Sequence, residues 1–448
     1  MSKKSNASQT TAPSYRVKGS QPLTGTVRVP GDKSISHRAL MLGAIATGTT
    51  RISGLLEGED CLNTARVLRK LGVHIDVSGD DSDSRVWTVQ GVGPGGLTAC
   101  DEPLDVGNSG TGMRLLAGLL AGQGVNATLV GDRSLMGRPM ERIAVPLRMM
   151  GVDVTTSDGK PPLVIEVNRR LVGIDYVSPV ASAQVKSAVM LAGLGASSPT
   201  SVTEPERSRD HTERMLPAFG CPVEVTDGGA KLSAVSGLSA INVEVPGDIS
   251  SAAFLLVAAS IIPGSDITIE HVGMNPTRTG IIKILRAMGA SIDERNARLV
   301  HGEPVSDLHV VYSPLSAIDV PPEWVPSAID EFPVVFIAAA AAKGLTRVTG
   351  VAELKVKESD RLGTMASGLA SLGANLVESD DGLEINGGLL DGGAIHSHDD
   401  HRIAMAFTVA GALTKSPLVI HDVTNVTTSF PRFSELMKRL GMDLEEIS

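Results

Sequence analysis

Aromatic residues are scarce in this chain, and so are cysteines and long apolar runs. Phe, Trp and Tyr make up 3% of its 448 residues, which excludes the stacking platforms of single-strand nucleic-acid binders and the aromatic belts of membrane proteins. The cysteines, Cys61, Cys100 and Cys221, are widely separated, so neither a disulfide framework nor a cysteine zinc site is expected. The longest apolar run, AAFLLVAASIIPG at 252–264, is too short to cross a bilayer.

An excess of positive charge is also missing. The net charge of −10 at pH 7 argues against general binding to nucleic acids or anionic membranes, so a cationic site would have to be local. The first residues, MSKKSNASQTTAPS, lack the apolar core of a signal peptide. Together with the unpaired cysteines, this predicts a cytoplasmic protein. The length is enough for about three average domains or two large ones.

An internal repeat is the main positive feature of the sequence. The pattern L-x-x-(L/M/F)-G, with Met for Leu in the last copy, occurs six times, and a short alternating strand pattern follows it. The glycines of the six copies are Gly72, Gly151, Gly220, Gly289, Gly373 and Gly441. The pattern predicts an amphipathic helix that ends at a left-handed glycine and continues into a strand.

Each repeat unit also contains an earlier helix that is apolar on every side and has a polar first turn. The six helices are predicted to begin near residues 31, 107, 181, 246, 328 and 398. A helix of this composition must be buried within a domain, so its polar start is expected to face something specific. In PGDKSISHR at 30–38 that start carries Lys33, Ser34 and Arg38. These side chains favour an anion at the positive end of the helix, and a merely capped helix start is the alternative.

A larger symmetry relates two parts of the chain. The sequence VRVPGD at 27–32 recurs as VEVPGD at 243–248, and three repeat units follow each copy. The chain is therefore predicted to form two halves of three units, with the Pro-Gly turns as hinges. If the halves face each other, up to six helix starts point into one cleft. Such a cleft would suit a strongly anionic ligand.

Three further stretches combine cations with small or polar residues, namely GNSGTGMR (107–114), ASAQVKSA (181–188) and KESDR (357–361). The first is a loop whose amide groups can surround an anion, and the second offers Ser182, Gln184 and Lys186 at a helix start. A turn, a polar cap and a surface charge cluster are the structural alternatives. GVGPGG at 91–96 precedes no helix, so it is not a dinucleotide site. HDDH at 398–401 lacks zincin spacing, and the adjacent Arg402 favours an anion.

Taken together, several stretches resemble the enolpyruvyl transferases. They are PGDKSISHRAL, GNSGTGMR, GRPM, ASAQVKSA, RDHTERML, AIDEFP, KESDR, DDHRIAMAF and TTSFPRF, in this order between residues 30 and 433. The resemblance implies an α/β (α+β) fold with two pseudo-symmetric domains, each made of three repeated β/α units in an inside-out α/β barrel. It also implies an inserted domain at 31–246, a second domain that joins 1–30 to 247–448, and an active site in the cleft between them.

Within this family, the chain is most similar to members that act on shikimate 3-phosphate. The implied reaction moves the enolpyruvyl group of phosphoenolpyruvate to the 5-hydroxyl of that acceptor and releases phosphate, without a cofactor or a metal. The resemblance implies catalytic roles for Lys33, for Asp330 as the acceptor of the hydroxyl proton and for Glu358 as the proton donor to the vinyl carbon. The implied ligands of shikimate 3-phosphate are Lys33, Ser34, Arg38, Ser182, Ala183, Gln184, Arg209, Asp330 and Lys357. The implied ligands of phosphoenolpyruvate are Lys33, Gly110, Arg138, Gln184, Arg361 and Arg402.

Two positions depart from the family pattern. Thr428 stands where many members carry Lys, and Leu115 stands where many carry Pro, which is interpreted as a subtype of the family. One alternative is a UDP-N-acetylglucosamine enolpyruvyl transferase, but its loop cysteine has no counterpart near Arg138. The other is a noncatalytic anion-binding protein on the same scaffold. We expect a monomer whose partners are its two small substrates, with glyphosate, the family's inhibitor, in the phosphoenolpyruvate site.

Overall fold

The computed structural model describes residues 13–80, 84–226, 228–233 and 236–447. The α-helices in these ranges are α1 (Lys33–Ile45), α2 (Glu59–Lys70), α3 (Gly110–Gln123), α4 (Glu141–Met149), α5 (Ala183–Gly193), α6 (His211–Ala218), α7 (Ile249–Ile261), α8 (Gly280–Ala287), α9 (Phe332–Ala341), α10 (Arg361–Ser371), α11 (His401–Ala410) and α12 (Phe433–Leu440). No helix in the described ranges combines the length and the apolarity needed to span a membrane.

The strands are short and numerous. In the first half of the chain they are β1 (Ser14–Ser20), β2 (Thr24–Arg28), β3 (Ala46–Ser53), β4 (His74–Ser78), β5 (Val86–Val92), β6 (Leu104–Asp105), β7 (Ala127–Val130), β8 (Asp153–Ser157), β9 (Lys160–Glu166), β10 (Asp175–Val177), β11 (Thr200–Thr203), β12 (Val223–Thr226) and β13 (Gly229–Leu232). The others are β14 (Leu238–Ser239), β15 (Asn242–Glu244), β16 (Asp266–Gly273), β17 (Ser291–Val300), β18 (Glu303–Val311), β19 (Leu345–Val348), β20 (Asn375–Glu378), β21 (Leu383–Asn386), β22 (Gly393–His396), β23 (Leu418–His421) and β24 (Met442–Ile447). The fold is therefore a mixed α/β fold, as predicted.

Small sheets with a common plan accompany the repeat units. In the order β6-β7-β9-β8, the first pair is parallel and the next two pairs are antiparallel. The sheets β10-β11-β13-β12 and β2-β16-β18-β17 follow the same plan. Each antiparallel hairpin follows one of the amphipathic helices, so sheet and helix together form the unit that the sequence pattern predicts.

The glycine pattern is confirmed as a set of helix ends. The amphipathic helices α2, α4, α6, α8, α10 and α12 each end just before the repeat glycine. All six glycines have a positive φ, for example 89° at Gly72 and 97° at Gly151. Other residues rarely adopt this backbone conformation, which explains why the pattern repeats glycine at this place.

The apolar helices α1, α3, α5, α7, α9 and α11 are buried, as their composition predicts. All 13 residues of α7 are buried, and nine of the ten residues of α9 are. Helices α3 and α5 pack so closely that a Cβ added at Gly118 would lie 2.1 Å from the carbonyl oxygen of Ala188. Glycine is therefore required at this crossing.

The buried apolar side chains form two separate cores. One core contains residues between 35 and 245, and the other contains residues 15–29 and 249–444. We call residues 31–246 the inserted half, and residues 13–30 with 247–447 the terminal half. Strand β1 pairs with β23 and β24, while β2 pairs with β16. The first two strands therefore pair with strands of the terminal half and not with the residues that follow them.

The two Pro-Gly-Asp turns lie side by side where the chain passes between the halves. The amide of Asp32 donates to the carbonyl of Pro246 at 2.8 Å, and the amide of Asp248 donates to the carbonyl of Pro30 at 2.9 Å. This reciprocal pair of hydrogen bonds joins the start of α1 to the start of α7.

Candidate active site

The starts of the apolar helices are capped by their own side chains. Asp32, Ser109, Ser182, Asp248 and Asp400 each accept a hydrogen bond from an amide in the first turn of α1, α3, α5, α7 and α11. The capped-helix interpretation is therefore correct for these backbone groups. The candidate site is built instead from the side chains that follow the caps.

Lys33, the first residue of α1, forms an ion pair with Asp60 at the start of α2. Its Nζ lies 2.9 Å from the Asp60 Oδ2, and the Lys33 side chain is 23% exposed. Burial alone would lower the pKa of Lys33, but Asp60 and Glu358 outweigh it and raise that pKa. The ammonium group therefore stays charged at neutral pH. Asp60 was missed by the sequence reasoning, although GED at 58–60 already placed an acid in a helix start.

Arg38, one turn later on α1, is buried, and each of its three guanidinium nitrogens donates a hydrogen bond. Its Nε donates to the Thr212 hydroxyl at 2.7 Å, its Nη2 donates to the Ser187 hydroxyl at 2.6 Å, and its Nη1 donates to the Ser34 carbonyl at 2.9 Å. Burial lowers the pKa of Arg38 to about 10, so it remains a cation at neutral pH. Neither Ser187 nor Thr212 was identified from the sequence.

The glycine-rich loop brings two guanidinium groups together at Gly110. A Cβ added there would lie 3.0 Å from the Arg114 Nη1 and 3.1 Å from the Arg138 Nη1. Arg114 also donates to the Gln184 Oε1 at 2.7 Å, and the Gln184 amide donates to the Thr111 hydroxyl at 2.8 Å. Gly110, Arg138 and Gln184 are therefore neighbours, as expected for residues of one site. Arg114 is a further cation here, visible in GNSGTGMR but not selected.

Ser182 caps α5 and Ala183 is the first residue of that helix, whereas Lys186 lies inside the protein. Ser182 caps the helix through Val185, and its own amide donates to Glu204 at 2.7 Å. The Lys186 ammonium is buried and lies 2.7 Å from the Glu204 carboxylate and 2.8 Å from that of Glu213. Lys186 therefore forms internal ion pairs and is not a cation that faces the predicted cleft.

Asp330 lies among cations from both halves. Arg209 of the inserted half donates directly to its carboxylate. Lys357 lies 3.5 Å from the same carboxylate and Arg361 lies 3.7 Å from it, while Arg402 donates to the Asp330 backbone carbonyl at 2.8 Å. Burial would raise the pKa of Asp330, but Lys357 and Arg209 hold that pKa well below its ordinary value. Asp330 is therefore an ionised carboxylate at neutral pH.

Glu358 is the second carboxylate of the site and is held by Arg361 at 2.6 Å. The buried Arg361 guanidinium also donates to the Asp400 carboxylate at 2.8 Å. Partial burial would raise the pKa of Glu358, but Arg361 and the nearby Arg138 hold that pKa below its ordinary value. The charge of Arg138, in the other half, thus also acts on Glu358.

The sequence-predicted cations gather around these two carboxylates. They are Lys33, Arg138 and Arg209 from the inserted half and Lys357, Arg361 and Arg402 from the terminal half. Asp400, within HDDH, accepts from Arg361 and from the Arg402 amide, so it supports the cationic cluster. Within the described ranges, no group of His, Cys, Asp or Glu is arranged to hold a metal ion.

The two departures from the family pattern have different surroundings. Leu115 is fully buried in the core of the inserted half. The Thr428 hydroxyl donates to the Asn425 carbonyl at 2.6 Å within a short 3-10 helix. A Cβ added at Gly58 would lie 2.1 Å from the Thr428 carbonyl oxygen, so the two halves also meet here.

Known proteins are similar to this chain in both sequence and fold. The family model of EPSP synthase (3-phosphoshikimate 1-carboxyvinyltransferase) matches residues 17–437. The chain belongs to the EPSP synthase family. It is 54% identical to the 3-phosphoshikimate 1-carboxyvinyltransferase of Xanthomonas axonopodis pv. citri (strain 306), over 94% of this chain and 96% of that protein. It is 56% identical to the enzyme of that name from Halorhodospira halophila (strain DSM 244 / SL1), over 96% of this chain and 97% of that protein.

A solved EPSP synthase has the same overall structure. The structure from Acinetobacter baumannii superposes with a TM-score of 0.90 at 48% identity and covers 98% of this chain and 100% of its own. As an EPSP synthase, this protein transfers the enolpyruvyl group of phosphoenolpyruvate to shikimate 3-phosphate, a step of the shikimate pathway of aromatic amino acid biosynthesis. These matches favour shikimate 3-phosphate over UDP-N-acetylglucosamine as the acceptor.

Proposed function

We propose that the cationic cluster between the two halves is the EPSP synthase active site, with Asp330 and Glu358 as its proton-transfer groups. The observation that carries the proposal is the Arg209–Asp330 contact, because it joins a cation predicted to bind shikimate 3-phosphate to the predicted base in the other half. A dense array of fixed cations suits a reaction in which two multiply charged anions must be held together.

The two substrates would divide the cluster between them. Lys33, Ser34, Arg38, Ser182, Ala183, Gln184, Arg209, Asp330 and Lys357 would bind shikimate 3-phosphate. Lys33, Gly110, Arg138, Gln184, Arg361 and Arg402 would bind phosphoenolpyruvate. The contacts among Gly110, Arg114, Arg138 and Gln184 support one shared pocket for the donor. The Arg38 guanidinium already donates to Thr212 and Ser187. To bind shikimate 3-phosphate, it would therefore either give up one of these hydrogen bonds or contact the ligand with the part of the guanidinium that they leave free.

Asp330 is suited to accept the proton of the 5-hydroxyl. A carboxylate that is ionised at neutral pH can take this proton as the oxygen attacks C2 of phosphoenolpyruvate. Its neighbouring cations would then stabilise the tetrahedral intermediate, in which the new C–O bond and the C–O bond to phosphate coexist.

Glu358 needs a proton before it can act as the acid. Its low pKa in the free site means that it binds no proton at neutral pH. Phosphoenolpyruvate places negative charge beside Arg138 and Arg361, and like charge raises the pKa of a carboxyl group. Glu358 would then protonate C3 during addition. It would take a proton back from C3 as the C–O bond to phosphate breaks during elimination.

We infer two domains, one at 31–246 and one that joins 1–30 to 247–448, each an inside-out barrel of three β/α units. Two separate cores support this division, and the paired Pro-Gly-Asp turns would act as the hinge. The protein would work as a cytoplasmic monomer that closes on its substrates and excludes water.

Phosphate release with different acceptors tests the reaction. We expect phosphate to appear when phosphoenolpyruvate is mixed with shikimate 3-phosphate, and not when UDP-N-acetylglucosamine replaces it or when the acceptor is omitted. Equal release with UDP-N-acetylglucosamine would contradict the assignment, and no release with either acceptor would favour the noncatalytic alternative.

Small-angle scattering tests the closure. We expect the radius of gyration to fall when shikimate 3-phosphate is added, because its phosphate must attract cations from both halves. Shikimate without the phosphate is the matched control and should cause a smaller change. An unchanged radius with shikimate 3-phosphate would exclude the hinge.

A further inference from the structure

A loop of the terminal half with two buried side chains, Asn275–Arg278, lies at the junction of the two halves. It connects β16 to α8, and both Asn275 and Arg278 are almost inaccessible to solvent. The sequence reasoning did not select either residue. Their contacts are with acidic side chains that stand next to candidate site residues in the chain.

Arg278 binds four side chains around the paired Pro-Gly-Asp turns. Its Nη1 lies 3.3 Å from the Asp32 carboxylate, and its Nη2 lies 3.1 Å from that of Asp248 and 2.6 Å from the Ser250 hydroxyl. The Glu331 carboxylate lies 3.9 Å from Nη2. One guanidinium therefore faces three buried acids.

Asn275 performs a similar task at the other end of the loop. Its side-chain amide donates to the Asp210 carboxylate at 2.7 Å and to the Glu303 carboxylate at 3.0 Å. Asp210 belongs to the inserted half, whereas Asn275 and Glu303 belong to the terminal half. The loop thus contacts the inserted half at two places, Asp32 and Asp210.

Three of the five acids that Arg278 and Asn275 contact adjoin candidate site residues in the chain. Asp32 precedes Lys33, Glu331 follows Asp330, and Asp210 follows Arg209. We propose that the loop Asn275–Arg278 is a positioning element that sets Lys33, Asp330 and Arg209 relative to one another, with Arg278 as its principal residue. The inference rests on the roles proposed above for those three residues.

Arginine is required here for physical reasons. The planar guanidinium presents several fixed donors and stays charged, so it can satisfy several carboxylates at once. Lysine has one compact charge and cannot reach all of them in the same geometry. Buried carboxylates that lose their partner repel one another and move apart, and Lys33 and Asp330 would move with them.

Replacing Arg278 should mainly lower kcat and should change the KM values less. Each substrate is bound by several cations, so a small shift of one or two changes binding little. Proton transfer and attack need aligned atoms, and a misplacement of about 1 Å can cost on the order of 100-fold in rate.

The test compares Arg278→Lys with Arg286→Lys. Arg286 lies on α8 in a half-exposed pair with Glu294 and is the matched control. We expect Arg278→Lys to lower kcat roughly 10- to 100-fold, with both KM values changed less than about threefold, and Arg286→Lys to behave as wild type. A kcat of Arg278→Lys within about threefold of wild type would overturn the proposal, as would equal losses in both variants.

A second comparison separates positioning from general structural damage. If Arg278 acts through Asp330, adding Arg278→Lys to Asp330→Ala should slow the enzyme little further. Losses that multiply would contradict the proposal. If Arg278→Lys fails to fold, Asn275→Ala decides: by displacing Arg209 beside Asp330 it should lower kcat about threefold or more with the KM values changed less, and unchanged kinetics would overturn the proposal. The wild-type phosphate-release assay is run first, so a failure of the proposed reaction is seen separately.

Discussion

Helices α1 and α7 occupy matching places in the two halves, but only α1 carries candidate site residues. Each has 13 residues, follows a Pro-Gly-Asp turn and is capped by an Asp side chain that accepts from an amide at 2.9 Å. Helix α1 then continues with Lys33 and Arg38, whereas α7 begins with Ile249 and is buried throughout. The same backbone therefore carries candidate site residues in one half and only buried residues in the other.

The difference shows that the helix start alone does not make this site. At α7 the polar groups Asp248 and Ser250 are bound by Arg278, so the helix end faces an internal partner. At α1 the Lys33 side chain extends towards Asp60 and Glu358. A few side chains, and not the repeated fold, therefore distinguish the two helix ends.

The largest expected effect separates Asp330, the proposed base, from Arg402, a proposed binding cation. We expect Asp330→Ala to lower kcat about 10²- to 10⁴-fold with little change in the KM for phosphoenolpyruvate, as for loss of a general base. Arg402→Ala should chiefly raise that KM, because a charge-assisted contact is lost before chemistry. Steady-state kinetics of both variants checks this.

The control for this pair is Asp319→Ala, which removes an exposed carboxylate paired with Arg347. It should leave both constants near their wild-type values. The reverse pattern, with Asp330 affecting KM and Arg402 affecting kcat, would show that the two roles are wrongly assigned.

The next effect comes from making α1 resemble α7. Lys33→Ile copies Ile249 into the matching place and should lower kcat/KM about 10²- to 10³-fold, because a preorganised cation is lost. Circular dichroism and phosphate release are measured together. A folded Lys33→Ile variant with near-normal activity would mean that the contrast between the two helices has no catalytic meaning.

Acid should destabilise the protein through a residue that α7 lacks. His37 on α1 is buried, where α7 has Ala253, and burial lowers its pKa from 6.5 to about 4. The unfolded chain binds a proton to this residue below pH 6.5 and the folded chain does not until about pH 4. The stability contributed by neutral His37 is therefore lost as the pH falls through this window, by about 3 kcal/mol.

Denaturant unfolding at pH 7 and pH 4.5 measures this loss. His37→Gln cannot titrate and should lose less stability on acidification than wild type. The exposed His74 provides the control, since His74→Gln should follow the wild-type curve. If His37→Gln and wild type lose stability equally, His37 is not the acid-sensitive group.

The smallest expected effect concerns the first residue of α3. Helix α9, its counterpart in the terminal half, begins with Phe332, but α3 begins with Gly110 against Arg114 and Arg138. A methyl group at Gly110 would press on these guanidinium groups, and overpacking costs about 1–3 kcal/mol. We expect Gly110→Ala to weaken glyphosate, the larger ligand, more than phosphoenolpyruvate, by roughly 5- to 150-fold.

Inhibition kinetics against phosphoenolpyruvate checks this prediction in both proteins. The informative quantity is the ratio of the glyphosate inhibition constant to the donor KM. A ratio that is the same in Gly110→Ala and wild type would remove the steric explanation.

Local patterns allowed the helices and the repeat to be predicted from the sequence. An amphipathic helix that ends at Gly72 needs only neighbouring residues, and so does the Asp32 cap. The partners of the site residues could not be predicted, because they are distant in the chain. Asp60 is 27 residues from Lys33, and Thr212 is 174 residues from Arg38.

The sequence also could not show whether a charged side chain at a helix start is buried or exposed. Lys186 stood in the same helix start as Ser182 and Gln184, yet it is enclosed by two glutamates. Only the fold shows whether a cation on a helix start turns outward to the cleft or inward to an acid. The same holds for Arg278, whose three acidic neighbours come from three separate segments.

The pairing of β1 with β24 has a consequence for synthesis on the ribosome. Ser14 pairs with Ile447, near the opposite end of the chain, so β1 must wait for nearly the whole polypeptide before it finds its partner. The strands of the inserted half find theirs between residues 46 and 244. The inserted half can therefore fold while translation continues, whereas the terminal half closes only after β24 has emerged from the ribosome. Until then β1 has unpaired edges that a chaperone would have to protect, whereas β2 can already pair with β16.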